Sequence, residues 1–358
     1  MEKKLVKVFL RQGLLVTLIF GLVAYLFLTV ATEQSAFAAP TIKLKLQSHL
    51  TPHDMNRTVP YFKNMLEKLT KGEMTLELHP VGAIVPAKEM LKALDTGVLD
   101  VVHCAEGYWG GEVPGTESAS GLPMAFKGME ESWYFMWNKG IVEILRTEYA
   151  KRGAYFIPWE PWPTALMTKR PVRNMADLKG MKIRSYGGIG HWLKESGASV
   201  VFVAGGELYT ALATGVVEGA HWNGAGPEYV MKFHEILKNY LQPYIQYSWN
   251  NVYVSMKTWN KLTPDQKTAF ETAAQAAAHF STQHTRTLEV RALDRMVKDH
   301  KVKVNWLSEA EQEKAQKIAF KAWDEVGKRT PVDAEIVKRL KEFVTKRELC
   351  DTIEKHPW

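Results

Sequence analysis

From Thr41 onward apolar and polar positions alternate, and Ile42, Leu44 and Leu46 share one face, which predicts a half-buried strand over Thr41–Gln47. Asn56–Leu69 carries apolar residues at helical spacing and is followed by Lys71-Gly72, a helix stop. Thr75–His79 reads as a strand, Pro86–Leu94 as a helix and Leu99–Cys104 as a strand. Strands and helices in alternation predict an α/β fold with largely parallel sheets. Further strands are expected at Ala154–Ile157, Met181–Ser185 and Trp249–Met256. After Ile157, Trp159-Glu160-Pro161-Trp162-Pro163 interrupts the chain with extended backbone, as a crossing between two lobes needs. Beyond Met256 the pattern turns helical. Thr263-Pro264-Asp265 supplies an N-cap with proline at the first helical position, leading into Gln266–Lys298. Ser308-Glu309-Ala310-Glu311 opens another helix as a capping box.

Within this pattern lies a repeat. Residues 89–103 (EMLKALDTGVLDVVH) and 207–221 (ELYTALATGVVEGAH) align at an offset of 118 positions, with Glu, Ala, Leu, Thr, Gly, Val and His coinciding. Each copy reads as a helix, a glycine stop (Gly97, Gly215), a tight turn and a buried strand. Two equivalent units predict two similar lobes. In open α/β sheets ligands bind beyond the carboxyl ends of strands, so His103-Cys104-Ala105-Glu106 and His221-Trp222-Asn223 are expected on opposing rims of one cleft.

The amino terminus changes the compartment. Lys3, Lys4, Lys7 and Arg11 precede an apolar run from Leu14 to Val30, and Ala36-Phe37-Ala38-Ala39 closes it with small residues. That order predicts a signal peptide over residues 1–38, cut after Ala38, and a periplasmic mature chain. An uncleaved anchor is the alternative, because the run approaches the shortest length that spans a bilayer. The mature chain carries a net charge of about +5 with both signs interspersed, which gives no footprint for nucleic acid and a weak bias toward anionic ligands. Cys104 and Cys350, 246 positions apart, show no disulfide framework and are read as two thiols.

Several motifs stand in a specific order: Pro80-x-Gly82, Glu89 with Gly97-x-x-Asp100, and Gly121-Leu122-Pro123 ahead of a long helix starting near Ser132. Lys169-Arg170-Pro171-Val172 precedes Ala176-Asp177-Leu178-Lys179-Gly180-Met181-Lys182-Ile183-Arg184. Gly197-Ala198, Tyr209-x-Ala211-Leu212-x-Thr214-Gly215-x-x-Glu218-Gly219 and Leu262-x-Pro264 follow. In these, from Thr41 to about Phe343, the chain resembles the extracytoplasmic substrate-binding proteins of tripartite ATP-independent periplasmic (TRAP) transporters. The resemblance implies a two-lobed, periplasmic-binding-protein-like α/β fold with hinge strands and long C-terminal helices. The lobes are expected at 39–161 plus 250–287 and at 162–249 plus 288–358, the second including the outer helices. It also implies a small organic carboxylate as ligand, integral-membrane TRAP subunits as partners, and a salt bridge from Arg184 to the carboxylate. The chain departs from acidic-sugar binders at Thr164, where they carry a second arginine. It departs from keto-acid and lactate binders at His221-Trp222, where they have Glu-Trp and the Glu helps bind a metal.

The residues themselves agree with that role for Arg184, which ends a predicted strand and whose guanidinium can grip a carboxylate bidentately; pairing with Asp177 is the structural alternative. Trp109, Trp159, Trp162, Tyr186 and Trp222 gather at predicted strand ends and suit a largely apolar ligand. Asn223, Glu106 and His221 complete the expected ligand set. Gly187-Gly188-Ile189-Gly190 is read as a tight, ligand-facing turn. No hydrolase elbow, P-loop or His-Glu-x-x-His motif occurs, and no cofactor or metal is expected. The rival reading is an exported metal-dependent hydrolase using His49, His53, His103 or His221 with Glu106. The preferred ligand is a monocarboxylate with an apolar or aromatic body, or a keto or hydroxy acid.

Overall fold

The computed structural model describes residues 42–203 and 205–346. The signal segment, Cys350 and the side chain of His53 lie outside the described residues. The first lobe is built on β1 (Ile42–Ser48), α1 (Pro52–Leu69), β2 (Met74–His79), α2 (Met90–Thr96) and β3 (Val101–Ala105). α3 (Met129–Asn138), α4 (Ile141–Ala150) and β4 (Ala154–Thr164) follow. The second lobe contains β5 (Leu166–Thr168), β6 (Lys182–Arg184), α5 (Gly187–Glu195), β7 (Ser199–Val201), α6 (Gly205–Ala213) and β8 (Gly219–His221). The chain continues through α7 (Ala225–Val230), β9 (Asn239–Gln242), β10 (Gln246–Ser255), α8 (Pro264–Lys298), β11 (Lys303–Trp306), α9 (Glu309–Gly327) and α10 (Pro331–Lys346).

Two sheets form, ordered β2-β1-β3-β10-β4 and β11-β9-β5-β8-β6-β7. In the first, β1 is parallel to β2 and β3, and β10 runs antiparallel to β3 and β4. In the second, β6 is parallel to β7 and β8, and β5 runs antiparallel to β8 and β9. The unit β1-α1-β2-α2-β3 thus has the connectivity of β6-α5-β7-α6-β8, and the sequence repeat is one half of that larger duplication. Gly97 and Gly215 end α2 and α6 in the left-handed conformation (φ 84° and 78°), where a Cβ would be strained.

β4 and β10 make the crossing. The strand predicted to end at Ile157 continues to Thr164 through Pro158, Pro161 and Pro163, paired with β10 from Ser255 back to Gln246. The prolines are tolerated because β4 is the edge of its sheet, where a missing N–H breaks no ladder. α8 makes a second tie. Its N-terminus carries a reciprocal capping box between Thr263 and Gln266, and its 35 residues extend about 50 Å. Ala273, Ala274, Ala277 and Ala278 lie in the core of the first lobe with Phe62 and Trp159, while Ala292 and Met296 lie in the core of the second with Phe233 and Tyr240.

Three sequence expectations are corrected. The long helix near Ser132 is two helices separated at Gly140, which takes φ 69°. The Gly187–Gly190 segment is the first turn of α5, and a Cβ on Gly188 would come within 3.2 Å of Leu122. At Ser308 only half of the capping box forms: its hydroxyl accepts from Glu311 N, while the Glu311 carboxylate accepts from Met175 N. α9 and α10 bind both lobes. Trp323 Nε1 donates to Pro123 O and Trp192 Nε1 to Ala315 O, each at 3.0 Å. Asp333 accepts from Gly115 N and Ser118 Oγ.

Candidate functional site

Arg184 closes β6 and is only 3% exposed. Its Nε donates to Val203 O at 3.1 Å and its Nη1 to His221 O at 2.9 Å. Three rings surround the guanidinium: Tyr186, Trp222 and Phe202, with centroids 4.8, 5.0 and 5.9 Å from Cζ. Among the described residues Arg184 forms no ion pair with a carboxylate. Asp177, the structural alternative, instead accepts from Arg173 N and Asn174 N and caps its own turn. Burial lowers the pKa of Arg184, and Tyr186 acts in the opposite sense; a guanidinium stays charged throughout. The result is a cation held by two backbone carbonyls and framed by aromatic faces, an arrangement suited to an anion with an apolar body.

The repeat places matching groups on the two lobes. Ser48 ends β1 and lies 3.0 Å from His103 Nδ1, in β3. Ser185 follows β6 and lies 2.6 Å from His221 Nδ1, in β8. Burial first, and then Arg184, pushes the His221 pKa down to about 3. His221 is therefore neutral at working pH and adds no charge beside Arg184. Burial also pushes the Tyr108 hydroxyl up, with Cys104 and Tyr186 adding to the effect.

The other expected ligand residues are not among the contacts of Arg184. Trp109 is fully buried, with its indole N–H donating to Lys88 O and its ring edge-on to Tyr253 at 4.9 Å. It fills the core. Glu106 lies beneath the rim, where Oε1 accepts from Trp249 N at 2.8 Å. Burial raises its pKa well above the carboxylate range, so it is a neutral tie between β3 and β10. Trp159 is fully buried against Phe62 and His103, at 5.5 and 5.2 Å, and Trp162, in β4, is half-buried. Asn223 Oδ1 accepts from Gly224 N and so caps the following turn. Its loop is clamped by Glu289 of α8, which accepts from Ala225 N and Gly226 N. Thr164 is buried, its hydroxyl 3.4 Å from Ser248.

Sequence reasoning missed Phe202, 71% exposed beside Arg184, and the serines behind both histidines. Phe202 follows a three-residue strand, too short for its alternation to stand out. A cavity of about 540 Å³ lies apart from all these residues, between α3 and α8, lined by Trp133, Trp137, His279 and Arg286 among others.

Groups for a metal do not converge. His49 and His103 rings are 5.6 Å apart on the first lobe, His221 is on the second, and Glu106 is neutral and tied to backbone. Among the described residues no three His, Cys, Asp or Glu side chains are placed to hold an ion. Of the residues that the hydrolase reading names, the side chain of His53 lies outside the described residues and the others do not form such a cluster. Position 221, which is Glu in the keto-acid binders, here holds an imidazole whose Nδ1 lies 2.6 Å from Ser185, and the Thr164 hydroxyl faces Ser248.

Two lobes of like topology, joined by crossing strands and carrying a buried arginine at a strand end, define a solute-binding protein. The chain belongs to the bacterial extracellular solute-binding proteins of family 7, whose family model matches residues 50–330, the substrate-binding proteins of TRAP transporters. It is 27% identical over 267 residues to a sialic acid-binding periplasmic protein of Vibrio cholerae, covering 73% of this chain and 82% of that one. It is 23% identical over 284 residues to a monocarboxylate 2-oxoacid-binding periplasmic protein of Nostoc sp., covering 77% and 76%. A TRAP solute-binding protein from Ochrobactrum anthropi superposes with a TM-score of 0.78 at 25% identity, over 86% of this chain and 96% of that one. No described helix is long and apolar enough to cross a membrane.

Proposed function

We propose that the chain is exported to the periplasm, binds a small monocarboxylate between its lobes and delivers it to the membrane subunits of a TRAP transporter. The observation that carries this is Arg184, a buried cation without a carboxylate partner among the described residues, framed by Tyr186, Trp222 and Phe202. One cation balances one carboxylate. Thr164 supplies no second charge, and the three rings favor an apolar or aromatic body, or a short keto or hydroxy acid, over a polyhydroxylated one. His221 and Asn223 flank Trp222 along the chain.

A thermal-shift series of organic acids is expected to show stabilization by monocarboxylates, because ligand that binds only the folded state raises apparent stability by mass action. The same acids quench tryptophan fluorescence through Trp222, and sugar acids or tricarboxylates have weaker effects. A sugar acid as the tightest ligand would overturn the weight given to the rings. Because β4, β10 and α8 join the lobes, ligand closes them by a hinge. Solution scattering should record a smaller radius of gyration at saturation, and an unchanged profile with binding proven would count against the hinge.

A further inference from the structure

At the place that the repeat matches to His221 and Ser185, the first lobe holds polar atoms that the fold itself does not use. His103 Nε2 and Trp159 Nε1 are buried, and neither has a hydrogen-bond partner among the described residues. Their rings lie 5.2 Å apart at 62°. Buried N–H groups without an acceptor are destabilizing and uncommon, and one such pair in contact calls for an occupant.

The protonation of His103 follows from its neighbors. Burial, with His49 adding to it, holds the ring well below its ordinary pKa and hence neutral, so one nitrogen carries a proton. Ser48 Oγ accepts from Leu50 N at 3.1 Å, and among its contacts His103 Nδ1, 3.0 Å away, is the acceptor for its own proton. Nδ1 is then the acceptor and Nε2 carries the N–H. With the Trp159 indole, the first lobe presents two uncharged N–H donors and no acceptor for them. His103 stands in the first lobe where His221, whose carbonyl accepts from Arg184, stands in the second. His103 lies 5.6 Å from His49, and His49 lies 5.8 Å from Tyr108. On the second lobe the Tyr186 ring lies 4.8 Å from the His221 ring and 4.8 Å from the Arg184 guanidinium.

Two donors match the two lone pairs of one oxygen. Neither is charged, so a carbonyl oxygen fits, whereas a second carboxylate would be buried without a counter-ion. We propose that His103 and Trp159 form a first-lobe subsite for a ketone oxygen of the ligand, so that the preferred solutes are oxo acids rather than plain carboxylic acids or dicarboxylates. The assignment rests on Arg184 holding the carboxylate. It makes Ser48 a positioning residue that fixes the His103 tautomer.

The test compares matched acids by calorimetry on the wild-type protein: pyruvate with propanoate, 2-oxobutanoate with butanoate, 4-oxopentanoate with pentanoate, phenylpyruvate with 3-phenylpropanoate, and malonate and succinate beside them. At least one oxo acid should bind about tenfold or more tighter than its partner. His103→Phe and Trp159→Phe should each bring that ratio toward one while the affinity of the partner acid is retained, and Ser48→Ala should reduce it in part. Equal affinities within every pair would assign the two N–H groups to ordered water and overturn the subsite while leaving Arg184 intact. A tighter dicarboxylate, or a ratio that survives both substitutions, would also overturn it. If no acid in the series binds, the reading of Arg184 fails and the subsite falls with it. The wild-type comparison needs no variant, so a substitution that prevents folding does not blunt the test.

Discussion

Arg184→Ala is expected to abolish carboxylate binding, at a cost of about 2–5 kcal/mol in affinity for a desolvated, hydrogen-bonded charge pair. The size of the effect follows from the surroundings. Nε and Nη1 are fixed on Val203 O and His221 O, so the guanidinium is oriented before ligand arrives and little side-chain entropy remains to be lost. His221 is neutral and does not replace the lost charge. Arg184→Lys should bind poorly as well, since one ammonium cannot hold two carbonyls and grip a carboxylate at a fixed angle. Both variants leave Val203 O and His221 O short of a donor, so unfolding in urea should accompany calorimetry to separate lost stability from lost affinity. Near-native affinity in a folded Arg184→Ala protein would sink the assignment.

How much of this was legible beforehand differs by scale. The strands with clear alternation, β1 and β2, appear within a residue or two of their expected limits, as do the caps of α8 at Thr263 and α2 at Gly97, because local spacing and cap chemistry decide them. The repeat gave the two-lobe plan, since it preserves the glycine stop and the strand that carries His103 or His221. Burial of single aromatic residues was not legible. Trp109 and Trp222 both follow a repeat strand, yet one fills the core against Tyr253 and the other borders Arg184. That difference depends on which neighbors arrive from distant segments: β10 for Trp109, and the chain after β7 for Arg184. Prolines misled for the same reason, because Pro158, Pro161 and Pro163 break a central strand but not the edge strand that β4 proves to be.

The second large effect concerns pH and the clamp behind Trp222. Glu289 of α8 accepts from Ala225 N and Gly226 N, with the Tyr244 hydroxyl 3.4 Å away. Glu228 of α7 is fully buried with both carboxyl oxygens unpartnered, and Tyr240 is buried nearby. Burial raises the Glu289 pKa to about 7, partly offset by those hydrogen bonds. Burial and the Glu289 charge together hold Glu228 well above the ordinary carboxylate range and neutral. A carboxyl whose folded pKa lies above its unfolded value binds more protons in the folded state between the two, so its contribution to stability falls as pH rises through that window. From pH 5 to pH 8 Glu289 alone should cost about 2–3 kcal/mol. The buried histidines act oppositely: His103 and His221 have folded pKa values below the unfolded one, so they penalize the folded state as pH falls below about 6.5. The wild-type profile mixes the two, and the difference from Glu289→Gln isolates the carboxyl. Glutamine turns an amide NH₂ toward one of the two backbone N–H groups, so the variant should be the less stable protein at pH 5. The gap should then narrow by about 2–3 kcal/mol at pH 8, where wild type carries a buried charge and the variant does not. Urea unfolding at the two pH values measures this, and a gap that stays constant would show that Glu289 does not titrate in this range.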